Sequence, residues 1–206
     1  MIRPANTINK LIDGTPVTIV ALGDSLTQGW MVSKGYVDFL KEILSIKFPK
    51  SRFELINSGM PGDTADSGLS RLQWDVFNYN PDCVFIQYAL NDAFSGFAEL
   101  QFKNIIRAII DKIKEKGNAD IVLITSGYIG NNDDNLHVEG YYRQLEMLGE
   151  DYGLSVVLTH EYWKKKIRDG VLFGSLVQHD GVHPTEEGYR LMAEAIVELF
   201  CPSPHK

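Results

Sequence analysis

Four short segments of the chain are rich in side chains suited to acyl transfer. They are GDSLT at residues 23–27, NSGMPGDT at residues 57–64, ALND at residues 89–92 and DGVHPT at residues 180–185. Ester hydrolysis requires a nucleophile, a base that deprotonates it, a group that orients the base, and donors for the oxyanion. Together, the four segments contain a residue suited to each of these tasks.

The histidine segment carries the most distinctive pattern. Asp180 precedes His183 by three residues, close enough for its carboxylate to hold one imidazole nitrogen and fix the tautomer. Pro184 restricts His183 to extended backbone, which favours an imidazole that points outward instead of into the following helix. The alternative interpretation is a polar loop that ends at a helix-capping Thr185.

Each of the other three segments, taken alone, is better explained by local structure. Asp24 and Ser25 are typical of a turn that caps a helix, and Gly62 and Asn91 are typical of turns. Each also suits catalysis. A serine on a strand-to-helix turn presents its hydroxyl and its own N–H. A glycine N–H is unshielded, and an asparagine amide can donate to an oxyanion. Only in combination do they indicate an active site.

Short apolar runs alternate with longer amphipathic stretches along the whole chain. The runs are rich in β-branched residues, as buried strands are, and the longer stretches have helical spacing of their apolar residues. The predicted strands are residues 16–22, 53–56, 82–88, 121–125 and 155–158. The predicted helices are residues 36–48, 69–77, 99–116, 139–152, 161–168 and 186–200, with Asp66 or Ser67 as the cap of the second.

This alternation predicts an α/β protein: a three-layer α/β/α sandwich with a five-stranded parallel sheet, flavodoxin-like in type. We expect residues 1–206 to form a single domain, because the chain is too short for two sizeable cores. Right-handed crossovers place the carboxyl ends of all parallel strands at one edge of the sheet, where ligand sites gather. The four segments rich in functional groups should therefore meet there.

Composition and charge restrict the possible partners. Hydrophobic residues make up 44% of the chain and charged residues 23%, and the formal net charge is −7. An acidic surface without a basic run disfavours nucleic acid and anionic membranes. The first apolar run, residues 17–22, is too short for a signal peptide core or a membrane span. With two isolated cysteines, Cys83 and Cys201, these features predict a cytoplasmic protein without stable membrane insertion.

No cofactor or metal site is indicated by the sequence. Glycine-rich phosphate loops of the GxGxxG or GxxxxGK type are absent. Asp133 and Asp134 lie in a polar stretch, residues 127–135, but they lack the ligand spacing of a calcium loop. A solvated loop is the favoured interpretation of that stretch.

The ordered blocks GDSLTQG, GDT, LND and DGVH resemble the GDSL or SGNH hydrolases, over nearly the whole chain. The resemblance implies a serine esterase or acylhydrolase in which Ser25 is the nucleophile, His183 the base and Asp180 its partner. It also implies an oxyanion hole formed by the N–H groups of Ser25 and Gly62 and by the Asn91 amide. One position departs from the pattern: Ala89 stands where the family usually has glycine, which predicts an altered pocket with all its donors retained.

The substrate is a small-molecule ester by this resemblance, and the absence of a long lid insertion favours small, soluble or single-chain esters, acetyl esters among them. Aromatic and apolar residues on loops after strands one, three and four are candidates for the substrate pocket; they are Trp30, Met31, Phe94, Phe97, Tyr128 and Ile129.

Two rival hypotheses stay open: a carbohydrate O-acetylesterase of the same fold, and a noncatalytic ligand-binding module. The residues do not indicate an oligomeric state.

Overall fold

Five parallel strands form one sheet in the computed structural model, which describes residues 2–130 and 132–201. The strands are β1 (Val17–Gly23), β2 (Phe53–Gly59), β3 (Cys83–Gln87), β4 (Asp120–Ile124) and β5 (Ser155–Val157). Their order in the sheet is β2-β1-β3-β4-β5, and every neighbouring pair is parallel. This is the flavodoxin-like order, so the predicted fold class is confirmed.

Helices cover both faces of the sheet. They are α1 (Ala5–Asp13), α2 (Ser25–Gln28), α3 (Tyr36–Lys47), α4 (Ala65–Ser70), α5 (Leu72–Asp75), α6 (Leu90–Phe94), α7 (Glu99–Lys116), α8 (Asn132–Tyr152), α9 (Thr159–Arg168), α10 (Phe173–Leu176) and α11 (Glu186–Val197). Helices α3, α9 and α11 pack together, and α4, α7 and α8 pack together. Because both faces are covered, all residues of β3 are buried, as the continuous apolar run of that strand predicts.

The strand ends carry the polar segments to one edge. Gly23 in β1 pairs with Gly59 in β2 and with Gln87 in β3, so these three strands end level with one another. The loops that follow them therefore start side by side. The final helix begins at Glu186, capped by the Thr185 hydroxyl, which accepts a hydrogen bond from Gly188 N–H (3.3 Å).

The second strand ends at Gly59 and the final helix at Val197, each three residues from the expected end. Two other expected elements differ more. Instead of one helix over residues 69–77, α4 and α5 are separated at Arg71 and a 3₁₀ turn follows at Phe77–Tyr79. Neither Asp66 nor Ser67 caps this region; α4 begins at Ala65, whose N–H donates to Asp92 Oδ1 (2.9 Å). The acceptor for this N–H comes from α6, which is distant in sequence, so local sequence could not indicate it.

The second difference is at the start of α8, which begins at Asn132 and not at Glu139. The expected solvated loop over residues 127–135 was wrong for its last residues, since Asp133 and Asp134 lie in the first helical turn. Acidic residues there interact favourably with the positive end of the helix. The Asn135 side chain also accepts from Ile129 N–H and donates to Ile129 C=O, which holds the preceding loop against the helix.

Helix α1 was not anticipated, because its apolar face is short: Ile8 and Leu11 are buried while Ile12 is exposed. It lies at the amino-terminal edge of the sheet, where Thr7 N–H donates to Asp120 Oδ2 at the start of β4 (2.7 Å). Among the helices of residues 2–130 and 132–201, none is long and apolar enough to cross a lipid bilayer.

Candidate active site

Ser25 is the first residue of the short helix α2, directly after β1. Asp24 caps this helix: its backbone is extended and its Oδ1 accepts a hydrogen bond from Leu26 N–H (2.8 Å). The chain therefore turns sharply from strand to helix within one residue. This turn places the Ser25 hydroxyl at the carboxyl-terminal edge, and the first N–H groups of a helix have no acceptor within the helix.

His183 and Asp180 meet Ser25 from the other end of the chain. The Ser25 Oγ lies 3.0 Å from His183 Nε2, and His183 Nδ1 lies 2.6 Å from Asp180 Oδ2. Asp180 Oδ1 accepts hydrogen bonds from the N–H groups of Val182 and His183, both at 2.9 Å. The Asp180 carboxylate thus fixes the loop and the imidazole together. A histidine whose Nδ1 hydrogen points to a carboxylate has Nε2 free to accept the serine proton.

The electrostatics of Asp180 suit a group that stays ionised. Partial burial acts to raise its pKa, but the N–H groups of Val182 and His183 and the imidazole outweigh it and hold the pKa below its ordinary value. The two ends of the loop that carries Asp180 and His183 are bonded to each other. Gln178 N–H donates to His183 C=O (2.7 Å), and Val177 forms a β-bridge with Pro184.

Two further donors are predicted for the oxyanion hole: Gly62 lies in the loop after β2, and Asn91 lies in the first turn of α6. Gly62 has φ of 81° and is exposed. No atom of the other described residues lies within 4 Å of the position that a Cβ would take there. Asn91 is the second residue of α6, and its Nδ2 donates to Asp63 C=O (2.8 Å). That bond uses one amide hydrogen and orients the group, which leaves the other available to a ligand.

Two buried carboxyl groups underlie this edge. Burial raises the pKa of Asp24 to about 7, against the effect of the Leu26 N–H, and burial also raises the pKa of Asp92 to about 6. Each uses one oxygen to accept a backbone N–H, and the other oxygen is buried without a hydrogen-bond partner among the described residues. Both groups therefore favour the neutral, protonated form more than an exposed aspartate does.

Ala89, where the family pattern usually has glycine, is fully buried and has φ of 150° and ψ of −42°. A non-glycine residue there is strained, at a typical cost of about 1–3 kcal/mol. The structure thus locates the effect of this departure in the backbone that leads into α6.

The six residues suggested for the substrate pocket have different surroundings. The Trp30 ring centroid lies 5.8 Å from that of His183, and the residue is 36% exposed. Met31 and Phe94 are exposed, and Tyr128 packs edge-on against Phe173. Phe97 is partly buried, and its carbonyl accepts a bond from the Tyr141 hydroxyl. Ile129 is buried in the core with 2% exposure, so its side chain does not line an open surface.

Sequence reasoning missed Arg71, whose guanidinium contacts the turn before Ser25 and the loop after Gly62. A single arginine in an amphipathic stretch carries no local signal of such contacts. Within residues 2–130 and 132–201, no group of three or more His, Cys, Asp or Glu side chains is arranged to hold a metal ion.

The family model for GDSL-like lipases and acylhydrolases matches residues 21–191. The chain belongs to this family. The match runs from β1 into α11 and so includes all four segments identified in the sequence. It confirms the predicted family and the predicted enzyme class, a carboxylic ester hydrolase.

Two curated relatives and one solved structure are named as thioesterases or esterases. The chain is 23% identical over 185 residues to thioesterase 1/protease 1/lysophospholipase L1 of Escherichia coli, covering 90% of this chain and 84% of that protein. It is 24% identical over 176 residues to an acetylxylan esterase of Geobacillus stearothermophilus, covering 79% of each. The crystal structure of Axe2, an acetylxylan esterase from Geobacillus stearothermophilus, superposes with a TM-score of 0.81 at 20% identity, covering 91% of this chain and 95% of that one.

Proposed function

We propose that this GDSL-family hydrolase cleaves esters by a two-step acyl transfer, with Ser25 as nucleophile, His183 as general base and Asp180 as the partner that orients it. The observation that carries the proposal is the continuous contact from Ser25 Oγ to His183 Nε2 (3.0 Å) and from His183 Nδ1 to Asp180 Oδ2 (2.6 Å). Residues 158 positions apart in sequence are held in the order that this chemistry needs.

In the first step, His183 Nε2 takes the hydroxyl proton as Ser25 Oγ attacks the ester carbonyl carbon. The oxyanion receives hydrogen bonds from the N–H groups of Ser25 and Gly62 and from the Asn91 amide. The intermediate then expels the alcohol oxygen, which takes the proton from His183, and the acyl group stays on Ser25. In the second step a water molecule gives its proton to His183 and attacks the acyl-enzyme, which releases the acid and restores the serine.

The substrates that fit best are small or single-chain carboxylic esters. A second candidate, the acetyl ester of a carbohydrate, is favoured by the similarity to the Geobacillus acetylxylan esterase. It is also favoured by Trp30, a partly exposed ring beside His183, since sugar rings present C–H groups that pack on aromatic faces. The similarity to the E. coli thioesterase and lysophospholipase favours longer acyl groups instead.

Hydrolysis of p-nitrophenyl esters from acetyl to long acyl chains tests the proposal, with acetylated xylo-oligosaccharides assayed in parallel. We expect turnover by the wild type and none above background by Ser25→Ala. A profile that ends at acetyl, with acetate release from the saccharides, would favour the carbohydrate esterase. Equal turnover by both proteins would contradict the assignment of Ser25. If neither protein turns over any ester and a fluorophosphonate leaves Ser25 unlabelled, a noncatalytic binding module becomes the better description.

A further inference from the structure

Arg71 lies between α4 and α5 with only 13% of its side chain exposed. Its guanidinium makes four hydrogen bonds to groups from separate parts of the chain. Nε donates to Asp63 Oδ2 (2.7 Å), and one terminal nitrogen donates to Asp75 Oδ2 (2.7 Å). The other terminal nitrogen donates to Gly23 C=O (3.0 Å) and to the Tyr88 hydroxyl (3.1 Å).

Three of these four partners lie in, or directly next to, the segments that carry the proposed oxyanion donors. Gly23 is two residues before Ser25, and Asp63 directly follows Gly62. Tyr88 directly follows β3 and precedes Asn91 by three residues. Among the described residues, no other side chain bonds to Gly23, Asp63 and Tyr88 together.

The contact between Asp63 and Asn91 extends this connection to the third donor. Asp63 C=O accepts from Asn91 Nδ2 (2.8 Å), while the Asp63 carboxylate is held by Arg71. Movement of Asp63 would therefore move the N–H of Gly62 and the amide of Asn91 together. The positive charge also neutralises a buried carboxylate close to where an oxyanion would form, which removes a repulsion.

We propose that Arg71 is a positioning residue of the oxyanion hole: it holds the three donor segments in register and offsets the charge of Asp63, without touching the substrate. The inference rests on the proposed function. A hole stabilises an oxyanion only if its donors are already oriented, so a loss of register should lower kcat more than it raises KM. Lysine cannot replace arginine fully, since a single ammonium cannot reproduce a planar fork with four acceptors around it.

The test compares Arg71→Gln and Arg71→Lys with the wild type, each alone and combined with Asn91→Ala. Rates are expressed per active site titrated with a fluorophosphonate. We expect Arg71→Gln to lower kcat by about 10- to 100-fold with KM changed by less than about threefold, and Arg71→Lys to be intermediate. Because both residues act through the same hole, Arg71→Gln should cost less than about threefold when Asn91 is already alanine.

The matched control is Lys103→Met. Lys103 is also a buried cation, with 9% of its side chain exposed, and it lies 3.6 Å from Asp151 in an ion pair on the far end of α8 from the donor segments. We expect this variant to lose stability without a change in kcat. If Arg71→Gln does not fold, Asp63→Asn takes its place, because it removes the ion pair and keeps the carbonyl that orients Asn91.

Multiplicative effects of the Arg71 and Asn91 substitutions would overturn the inference and leave the proposed function intact. The same holds if kcat per titrated site is unchanged in the Arg71 variants. A wild type that neither reacts with the fluorophosphonate nor hydrolyses esters would overturn the proposed function, and this inference with it.

Discussion

The two edges of the sheet use aspartate in different ways. At the amino-terminal edge, Asp82 accepts hydrogen bonds on both oxygens, from Lys10 Nζ (2.5 Å) and Thr18 N–H (2.8 Å). Asp120 accepts on Oδ2 from the N–H and hydroxyl of Thr7. At the carboxyl-terminal edge, Asp24 and Asp92 each bury one oxygen without a partner among the described residues.

The amino-terminal edge stabilises the fold, whereas the carboxyl-terminal edge carries the candidate active site. The amino-terminal aspartates are satisfied, and they tie α1 to the starts of β1 and β4. The opposite edge holds the strained Ala89, the open N–H at Gly62 and two carboxyl groups with raised pKa. Strained residues and buried polar atoms without hydrogen bonds lower the stability of a fold, and they cluster at functional sites. The following predictions test this contrast.

The largest effect is expected from Ser25→Ala. Removing the hydroxyl eliminates the proposed nucleophile, so ester turnover should fall by roughly 10⁴- to 10⁶-fold while thermal unfolding stays close to that of the wild type. The control is Ser33→Ala, because Ser33 is an exposed loop residue; this variant should retain full activity. Residual turnover within tenfold of the wild type would mean that another residue is the nucleophile.

Asn91→Ala removes a side-chain donor from the proposed oxyanion hole and keeps the backbone of α6. We expect kcat to drop by about 100- to 1000-fold, since loss of one oxyanion donor typically has this cost. Asn104→Ala, on the exposed surface of α7, should leave kcat unchanged. A loss in kcat below about fivefold for Asn91→Ala would mean that this amide does not stabilise the oxyanion.

Asp24→Asn tests the buried carboxyl through the pH dependence of stability. A pKa raised by burial from 3.8 to about 7 means that the folded state binds the proton more tightly than the unfolded chain. The wild type therefore loses stability from this group as the pH rises from about 4 to about 7, and the neutral asparagine does not. Relative to the wild type, the variant should gain on the order of 2 kcal/mol in unfolding free energy between pH 5 and pH 8.

Denaturant unfolding at several pH values measures this difference. Asp82→Asn, at the opposite edge, is the comparison: it should destabilise the protein at neutral pH, because it removes the ionised partner of Lys10. If the difference between Asp24→Asn and the wild type does not change with pH, the Asp24 carboxyl is not held neutral in the folded state.

The smallest effect is expected from Ala89→Gly. Glycine adopts φ of 150° without strain, so this substitution should stabilise the protein by about 1 kcal/mol, net of the entropy that glycine loses on folding. Ala108→Gly, within α7, provides a control of opposite sign and should destabilise by about 1 kcal/mol. Thermal unfolding of both variants measures the difference; destabilisation by both would mean that Ala89 is not strained.

The elements with strong periodicity could be predicted from the sequence. Helix α7 has the bounds that were expected, and the five strands were placed within a few residues, because buried β-branched runs and amphipathic spacing are local signals. The region around α4 and α5 could not be predicted in this way. The first N–H of α4 is bonded by Asp92, and the two helices are separated at Arg71. Contacts between residues distant in sequence leave no local pattern to read.

The amino-acid sequence by itself determined the fold class, the family and the identities of Ser25, Asn91, Asp180 and His183 as candidates, because hydrophobic periodicity and short motifs are local properties. Tertiary structure alone decided which polar groups are satisfied. Asp82 pairs with Lys10, whereas one oxygen of the buried Asp24 has no partner among the residues that the structure describes. Which of these occurs depends on the segments that meet at each edge. The same is true of Arg71, whose four partners converge only when parallel strands bring their ends together.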